Sequence, residues 1–128
     1  MNTELLKAKI AVLERATGRF EDALKQPKNE FTRDAAIQRF EFTFELAWRT
    51  MKDYLSYMGV EARSPRDCIR GTFTSGLIKE DIRWLAMIEL RNLTSHTYEE
   101  AMAERIWNEL PGILVCLKDL LGSLKSVK

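Results

Sequence analysis

The feature that most constrains the fold is a hydrophobic repeat of helical spacing that runs through three long segments of the chain. In residues 3–25, 30–58 and 97–124, apolar side chains recur at intervals of three and four residues. Such a repeat places these side chains on one stripe of an α-helix, and the stripe must be buried against another surface. Six Gly and three Pro in 128 residues are too few for a loop-rich β-sandwich. The repeat therefore predicts an all-α protein.

Turn and capping residues divide the chain between these helices. Pro27 disfavours a helical residue before it, and Gly59 is a natural C-terminal stop, so each marks the end of a helix. Ser64 and Pro65 match the N-cap and the first position of a short third helix. A fourth helix is expected to begin around residues 79–81. The sequence thus predicts four or five helices with short connections.

The last long helix is predicted to start at Thr97, because Thr97 and Glu100 have the spacing of a capping box. Its apolar stripe needs a partner surface, as do the stripes of the other long helices. An antiparallel up-and-down helical bundle buries all of them, so residues 1–128 are predicted to form one such domain. The stripes are also long enough to bury a homodimer interface.

Charge and cysteine content limit the possible functions. The 20 Lys and Arg residues and 19 Asp and Glu residues give a formal net charge of +1, so any contact with RNA must come from a local patch. Cys68 and Cys116 lie far apart within apolar helical patterns, which indicates buried free thiols in a reducing compartment. The first 20 residues carry charges throughout, and no apolar run approaches the roughly 18 residues of a membrane span. We therefore expect a cytoplasmic protein.

The most distinctive polar segment comprises residues 91–98, with the sequence RNLTSHTY. His96 is the only histidine of the chain, and a lone histidine in a helical protein is more often structural or solvated than functional. Here, however, Arg91 precedes it by five positions, Asn92 directly follows the arginine, and Tyr98 lies two positions after the histidine. Chance supplies this four-part pattern far less often than any one of its parts, so the 91–98 segment is the candidate functional site.

The spacing of Arg91 and His96 requires a break in the helix. Residues five apart on a continuous α-helix are separated by about 140°, so the two side chains would point in different directions. Thr94, Ser95 and Thr97 are poor helix-interior residues and good caps, so we expect a break that turns both side chains toward one place. The predicted capping box then puts His96 just outside a helix N-terminus, where backbone N–H groups favour an anion such as phosphate.

These residue types suit cleavage of a phosphodiester. An imidazole, whose ordinary pKa is about 6.5, can give or take a proton at neutral pH, which is the role expected of His96. Arg91 can hold a phosphate and stabilise the additional negative charge of the transition state, and Asn92 could orient the pair. The sequence contains no cluster with metal-ligand spacing, so no cofactor is expected. Attack of an RNA 2′-hydroxyl on the adjacent phosphate is the reaction that requires the fewest groups beyond these three residues.

Two other charged clusters have simpler explanations. Four charged residues follow a four-residue step along the second helix: Glu41, Glu45, Arg49 and Asp53. Glu45–Arg49 and Arg49–Asp53 are expected to form ordinary i,i+4 ion pairs. Arg66 and Arg70, together with Arg63 and Lys52, could form a basic patch that binds RNA. A solvated helix face is the simpler account of that patch.

Three blocks of the sequence resemble the HEPN superfamily, and within it the branch of nucleotidyltransferase substrate-binding proteins. They are residues 40–49 (FEFTFELAWR), residues 64–67 (SPRD) and the 91–98 segment, and they occur in the same order over nearly the whole chain. The resemblance implies a helical bundle that forms a homodimer, with two R-x4-H motifs near the interface. It also implies that the chain is encoded beside a minimal nucleotidyltransferase.

For function, the resemblance implies a toxin and antitoxin pair. The HEPN protein would be a metal-independent ribonuclease with Arg91 and His96 as catalytic residues and Asn92 in support. The nucleotidyltransferase would neutralise it by transferring AMP to Tyr98. An alternative for the same branch is a non-catalytic subunit that binds a nucleotide or presents substrate to the partner nucleotidyltransferase.

Overall fold

The computed structural model describes residues 2–127 of the chain. These residues form five α-helices and one turn of 3-10 helix, and they contain no β-strand. In chain order the elements are α1 (Thr3–Leu24), α2 (Glu30–Tyr57), α3 (Pro65–Thr74), α4 (Ile82–Leu93), the 3-10 turn (Thr94–His96) and α5 (Glu100–Lys125). The predicted all-α fold class is confirmed.

Contacts between the long helices give their directions. The Arg39 guanidinium of α2 donates to the carbonyl of Arg19 on α1 at 2.6 Å, and the Thr43 hydroxyl donates to the carbonyl of Ala16 at 3.4 Å. Later residues of α2 thus meet earlier residues of α1, so these helices are antiparallel. The ion pairs between α1 and α5 follow the same order: Glu21 with Lys118, and Glu14 with Lys125. The elements therefore form an antiparallel helical bundle.

The apolar stripes meet in one hydrophobic core. Its largest fully buried side chains come from every α-helix except α4, and they include Phe20, Phe40, Phe44, Leu55, Ile69, Ile106, Leu117 and Leu120. Helix α4 adds Trp84 and Met87, which are also buried. Cys68 and Cys116 are buried free thiols, as the sequence predicts. Within residues 2–127, no helix combines the length and apolar character needed to cross a membrane.

Two of the predicted helix starts agree with the structure. The Ser64 side chain accepts a hydrogen bond from the backbone N–H of Asp67 at 3.1 Å, so Ser64 is the N-cap of α3. Helix α2 starts at Glu30 after a reciprocal capping box between Asn29 and Thr32. In both cases a side chain satisfies a backbone donor of the first turn that has no partner within the helix.

The predicted start of the last helix is wrong. Helix α5 begins at Glu100, its N-cap is Glu99, and no side chain caps it by a hydrogen bond. An N-cap needs an extended backbone, whereas Thr97 has φ −70° and ψ −8° because it continues the 3-10 turn. The Glu100 carboxylate does not return to Thr97 but accepts a hydrogen bond from Arg33 of α2 at 2.7 Å. His96 therefore lies four residues before α5 and not directly before its first residue, as the predicted capping box required.

Candidate functional site

The 91–98 segment contains the predicted break between helices. Arg91 and Asn92 lie in the last turn of α4, which ends at Leu93, and His96 ends the 3-10 turn that follows. Thr94 starts that turn by donating its hydroxyl to the carbonyl of Arg91 at 2.6 Å, and the Ser95 hydroxyl donates to the carbonyl of Asn92 at 2.9 Å. These side chains satisfy the carbonyls left free at the end of α4.

Arg91 is held by α2 and by its own turn. Its Nη1 donates to the Thr94 hydroxyl at 3.0 Å and lies 3.8 Å from a carboxylate oxygen of Glu41. Its Nε makes no hydrogen bond, but a carboxylate oxygen of Glu45 lies 3.5 Å away. The three ionised side chains are each about one-third exposed, at 33%, 32% and 37% for Arg91, Glu41 and Glu45. Two carboxylates thus orient the guanidinium and offset its charge.

Glu45 connects Arg91 to two further side chains of α2. The Trp48 indole N–H donates to the second oxygen of Glu45 at 3.1 Å, and Arg49 Nε lies 3.9 Å from that oxygen. The predicted Glu45–Arg49 pair is therefore present. Arg49 forms no ion pair with Asp53 among the described residues, so that part of the prediction is wrong. Arg49 instead lies over the Trp48 ring, 5.3 Å from its centre.

Sequence reasoning missed that Glu41 and Glu45 belong to the site. Their four-residue spacing indicates that both lie on one face of α2, but it does not reveal which helix packs against that face. Thr94 was assigned only to the helix break, and it also accepts a hydrogen bond from Arg91. The signal that could have pointed to the two glutamates is their position inside the 40–49 block.

His96 and Tyr98 contact each other. The phenolic oxygen of Tyr98 lies 3.3 Å from His96 Nδ1, and the two rings meet edge to face with 5.9 Å between their centres. A hydrogen bond from the backbone N–H of Glu99 to the carbonyl of His96, at 3.1 Å, closes the turn between them. Both side chains are exposed, and Tyr98 retains 77% of its accessible surface. A partner protein could therefore reach both rings.

The two predicted catalytic residues, Arg91 and His96, have different bonding partners in the structure. Arg91 is engaged by Thr94 and the α2 carboxylates, and His96 is engaged by Tyr98; no hydrogen bond joins Arg91 to His96 in the described part of the chain. The backbone of Asn92 accepts the bond from Ser95, whereas its exposed side chain forms no hydrogen bond with any residue described. The candidate site thus has two parts that are held by different partners.

The start of α5 is fixed by Arg33, whose side chain is only 4% exposed. Its guanidinium donates to Glu100 at 2.7 Å, to Glu104 at 3.3 Å and to Asp34 at 3.0 Å. Hydrogen bonding to Arg33 lowers the pKa of Glu100, and hydrogen bonding to Lys28 and Arg33 lowers the pKa of Glu104. These contacts anchor the residues that directly follow Tyr98.

The predicted basic patch lies on α3. Arg66 and Arg70 are exposed, one turn apart, and neither is bonded to the 91–98 segment in the described structure. Arg63 is paired with Glu61 at 2.7 Å, which offsets part of the patch charge. Across residues 2–127, no group of three or more His, Cys, Asp or Glu side chains is arranged to hold a metal ion.

Comparison with known families identifies the fold and the branch. A family model described as nucleotidyltransferase substrate binding protein like matches residues 8–126. The chain belongs to this family. The resemblance predicted from the three sequence blocks is therefore confirmed.

Similar proteins are known in two bacteria. The probable ribonuclease HepT of Haemophilus influenzae is 33% identical over 95 residues, a match that covers 70% of this chain and 65% of that protein. The match thus spans slightly less than two thirds of that relative's length. A Thermus thermophilus protein of known crystal structure is 36% identical, with a TM-score of 0.83 over 88% of this chain and 98% of that one.

A second solved structure, from Haemophilus influenzae, is described as revealing the fold of a substrate binding domain of a nucleotidyltransferase. It is 29% identical, with a TM-score of 0.71, and the alignment covers 98% of this chain and 100% of that one. The helical bundle described above is therefore the fold of this family.

Proposed function

We propose that the chain is a cytoplasmic, homodimeric, metal-independent ribonuclease toxin of the HEPN type, with Arg91 and His96 as its catalytic residues. The observation that carries the proposal is the break between α4 and α5, which leaves His96 exposed at the end of the 3-10 turn, shortly after Arg91 in the last turn of α4. Asn92 supports the pair from the last turn of α4. The name of the similar HepT protein supports the same activity.

The reaction proposed is attack of an RNA 2′-hydroxyl on the adjacent phosphorus. His96 transfers a proton to or from the reacting oxygens, and Arg91 stabilises the additional charge on the phosphate oxygens. Glu41, Glu45 and Thr94 position the guanidinium from the side of Nε and Nη1. Its Nη2 forms no hydrogen bond with a described residue and is the group proposed to contact the phosphate. Arg66 and Arg70 are proposed to contact RNA outside the cleavage site.

The partner proposed is a minimal nucleotidyltransferase that neutralises the ribonuclease by transferring AMP to Tyr98. The 77% exposure of Tyr98 and its contact with His96 support this role. An AMP group attached there would add bulk and negative charge beside the catalytic histidine, so RNA could no longer approach. Intact-mass measurement after incubation with the nucleotidyltransferase and Mg-ATP should show one or more AMP additions, and their absence would refute this part.

The test of the nuclease is cleavage of RNA in EDTA by the purified protein. We expect the wild-type chain and Arg83→Ala, which changes an exposed residue of α4 outside the 91–98 segment, to cleave, and His96→Ala to be inactive. Equal cleavage by the wild type and His96→Ala, or none by either, would contradict the proposal. The dimer is tested by light scattering coupled to gel filtration, where a monomer mass would contradict it.

A second function is favoured by the charges around Arg91. Glu41 and Glu45 offset its positive charge, and the net charge of the chain is only +1, so RNA gains little non-specific attraction. The chain could instead be a non-catalytic subunit that binds a nucleotide or presents substrate to a nucleotidyltransferase. Calorimetric titration with ATP, with and without the partner enzyme, tests this function. Absence of binding in both states would count against it.

A further inference from the structure

In the contact between His96 and Tyr98, the phenol can donate a hydrogen bond and the imidazole can accept it. His96 Nδ1 lies 3.3 Å from the phenolic oxygen, and Nδ1 can accept the phenolic hydrogen when the imidazole is neutral and carries its proton on Nε2. No other described side chain forms a hydrogen bond with that oxygen. Both rings are exposed, so a second protein could bring a reactant to the phenol without first opening the bundle.

A tyrosine that receives a nucleotidyl group needs a proton acceptor. A phenol has an ordinary pKa of about 10, so it is mostly protonated at neutral pH and a weak nucleophile until a base takes its proton. A general base must lie within hydrogen-bond reach of that proton, and the distance is often longer in the free protein than in the reacting complex. The 3.3 Å contact meets this requirement with a group that belongs to the same chain as the tyrosine.

We propose that His96 is the general base for its own chain's modification and takes the phenolic proton as Tyr98 receives AMP. The phenolic oxygen forms a bond to the α-phosphorus of ATP, and the bond from that phosphorus to the bridging oxygen of the β-phosphate breaks. Pyrophosphate leaves with the electron pair of that bond. The proton moves to His96 Nδ1 and from there to solvent.

This inference rests on the proposed transfer of AMP to Tyr98 and adds a second role for the histidine. The same imidazole that handles protons during RNA cleavage then helps to install the group that blocks it. One consequence distinguishes this role from a modification that does not need His96. A chain without His96 should lose its ribonuclease activity and also become a poor substrate for the nucleotidyltransferase.

The experiment follows the initial rate of AMP addition by intact mass, using the full chain, the proposed partner nucleotidyltransferase and Mg-ATP. We expect His96→Ala to lower kcat by about 100-fold, as for loss of a general base, with little change in the KM for the chain. His96→Asn keeps a hydrogen-bonding group near the position of Nδ1 but is not a base, so it should be equally slow. Arg83→Ala, which changes an exposed residue of α4 outside the 91–98 segment, should retain the wild-type rate, and Tyr98→Phe should receive no AMP.

Imidazole in the buffer distinguishes a chemical role from a structural one. A free imidazole can enter the space left in His96→Ala and restore part of kcat, and it cannot repair a misplaced loop. Rates for His96→Ala within threefold of wild type, or a slow variant that imidazole fails to accelerate, would overturn the role of His96 and leave the proposed AMP transfer standing. A wild-type chain that receives no AMP would overturn both.

Discussion

Replacement of Arg91 by alanine should reduce ribonuclease activity strongly and the free energy of unfolding only slightly. The guanidinium is 33% exposed and lies 3.5 Å from Glu45 and 3.8 Å from Glu41, whose carboxylates are about equally exposed. Its one hydrogen bond to a side chain is the bond to Thr94, at 3.0 Å. Solvent partly screens these ion pairs because each side chain is about one-third exposed, although the Nε atom itself is buried. The arginine is therefore only loosely coupled to folding. Its proposed role in the transition state is not screened in this way when RNA covers the site.

The two effects differ in size. Partly exposed ion pairs contribute about 0–1 kcal/mol each, and a hydrogen bond contributes about 1 kcal/mol. Loss of the arginine also leaves Glu41 and Glu45 as a like-charged i,i+4 pair, which costs about 0.2–0.5 kcal/mol. The free energy of unfolding should therefore fall by about 1–3 kcal/mol. Loss of a group that stabilises transition-state charge typically lowers kcat by about 10²- to 10³-fold.

Urea unfolding followed by circular dichroism measures the first effect, and RNA cleavage in EDTA measures the second. Arg83→Ala is the matched control, because Arg83 is an exposed arginine on the same helix whose pair with Glu80 lies away from the 91–98 segment. The control should retain cleavage. If the free energy of unfolding of Arg91→Ala instead falls by more than about 4 kcal/mol, or the variant retains half of the wild-type cleavage, the guanidinium is structural and the proposed division of roles is wrong.

Three further predictions concern packing and titration. Gly18→Ala should raise the free energy of unfolding by about 0.5–1 kcal/mol, because the added Cβ meets nothing within 4 Å. Gly71→Ala should lower it by about 1 kcal/mol, because the added Cβ would lie 2.8 Å from the buried Leu55. Equal denaturation midpoints for the two variants would contradict this prediction. The pKa values of Glu100 and Glu104 are lowered in the folded state, so their contribution to stability is present at neutral pH and lost as pH falls through those lowered values. The difference in free energy of unfolding between the wild type and Arg33→Met should therefore shrink on acidification. A constant difference from pH 7 to pH 3 would count against the pairing. Burial raises the pKa of the Cys68 and Cys116 thiols, so both should react with a disulfide reagent at pH 8 much more slowly in the folded chain than in urea.

Helix positions could be predicted because their signals are local. The stripe of α2 and the caps at Asn29 and Ser64 depend on residues within one or two turns of each other. The start of α5 could not be predicted in this way. Thr97 and Glu100 have the residue types of a capping box, but Arg33, 67 positions earlier in the sequence, takes the glutamate. A tertiary ion pair thus outweighed a local capping signal.

The same distinction applies to the candidate site. The break after Leu93 follows from the adjacent polar residues, and it is where the sequence predicts it. The environment of Arg91 depends on which face of α2 packs against the end of α4, and hydrophobic spacing on one helix does not encode that choice. The sequence therefore predicts for Glu45 only a pair within its own helix, and for Glu41 only a place in the same row of charges. Only the packed bundle reveals that they also face the arginine.

Both ends of the 91–98 segment are fixed to one helix. Arg91 is held by Glu45, and Glu100, just beyond Tyr98, is held by Arg33, so the two anchors lie twelve residues apart on α2, or about 18 Å. The chain between them must cover that distance and still turn His96 and Tyr98 toward each other, which the 3-10 turn accomplishes. The position of His96 relative to Arg91 thus depends on these two anchoring contacts as well as on the hydrogen bonds of the turn itself. An inserted residue would move His96 relative to Arg91 even though every functional side chain remained.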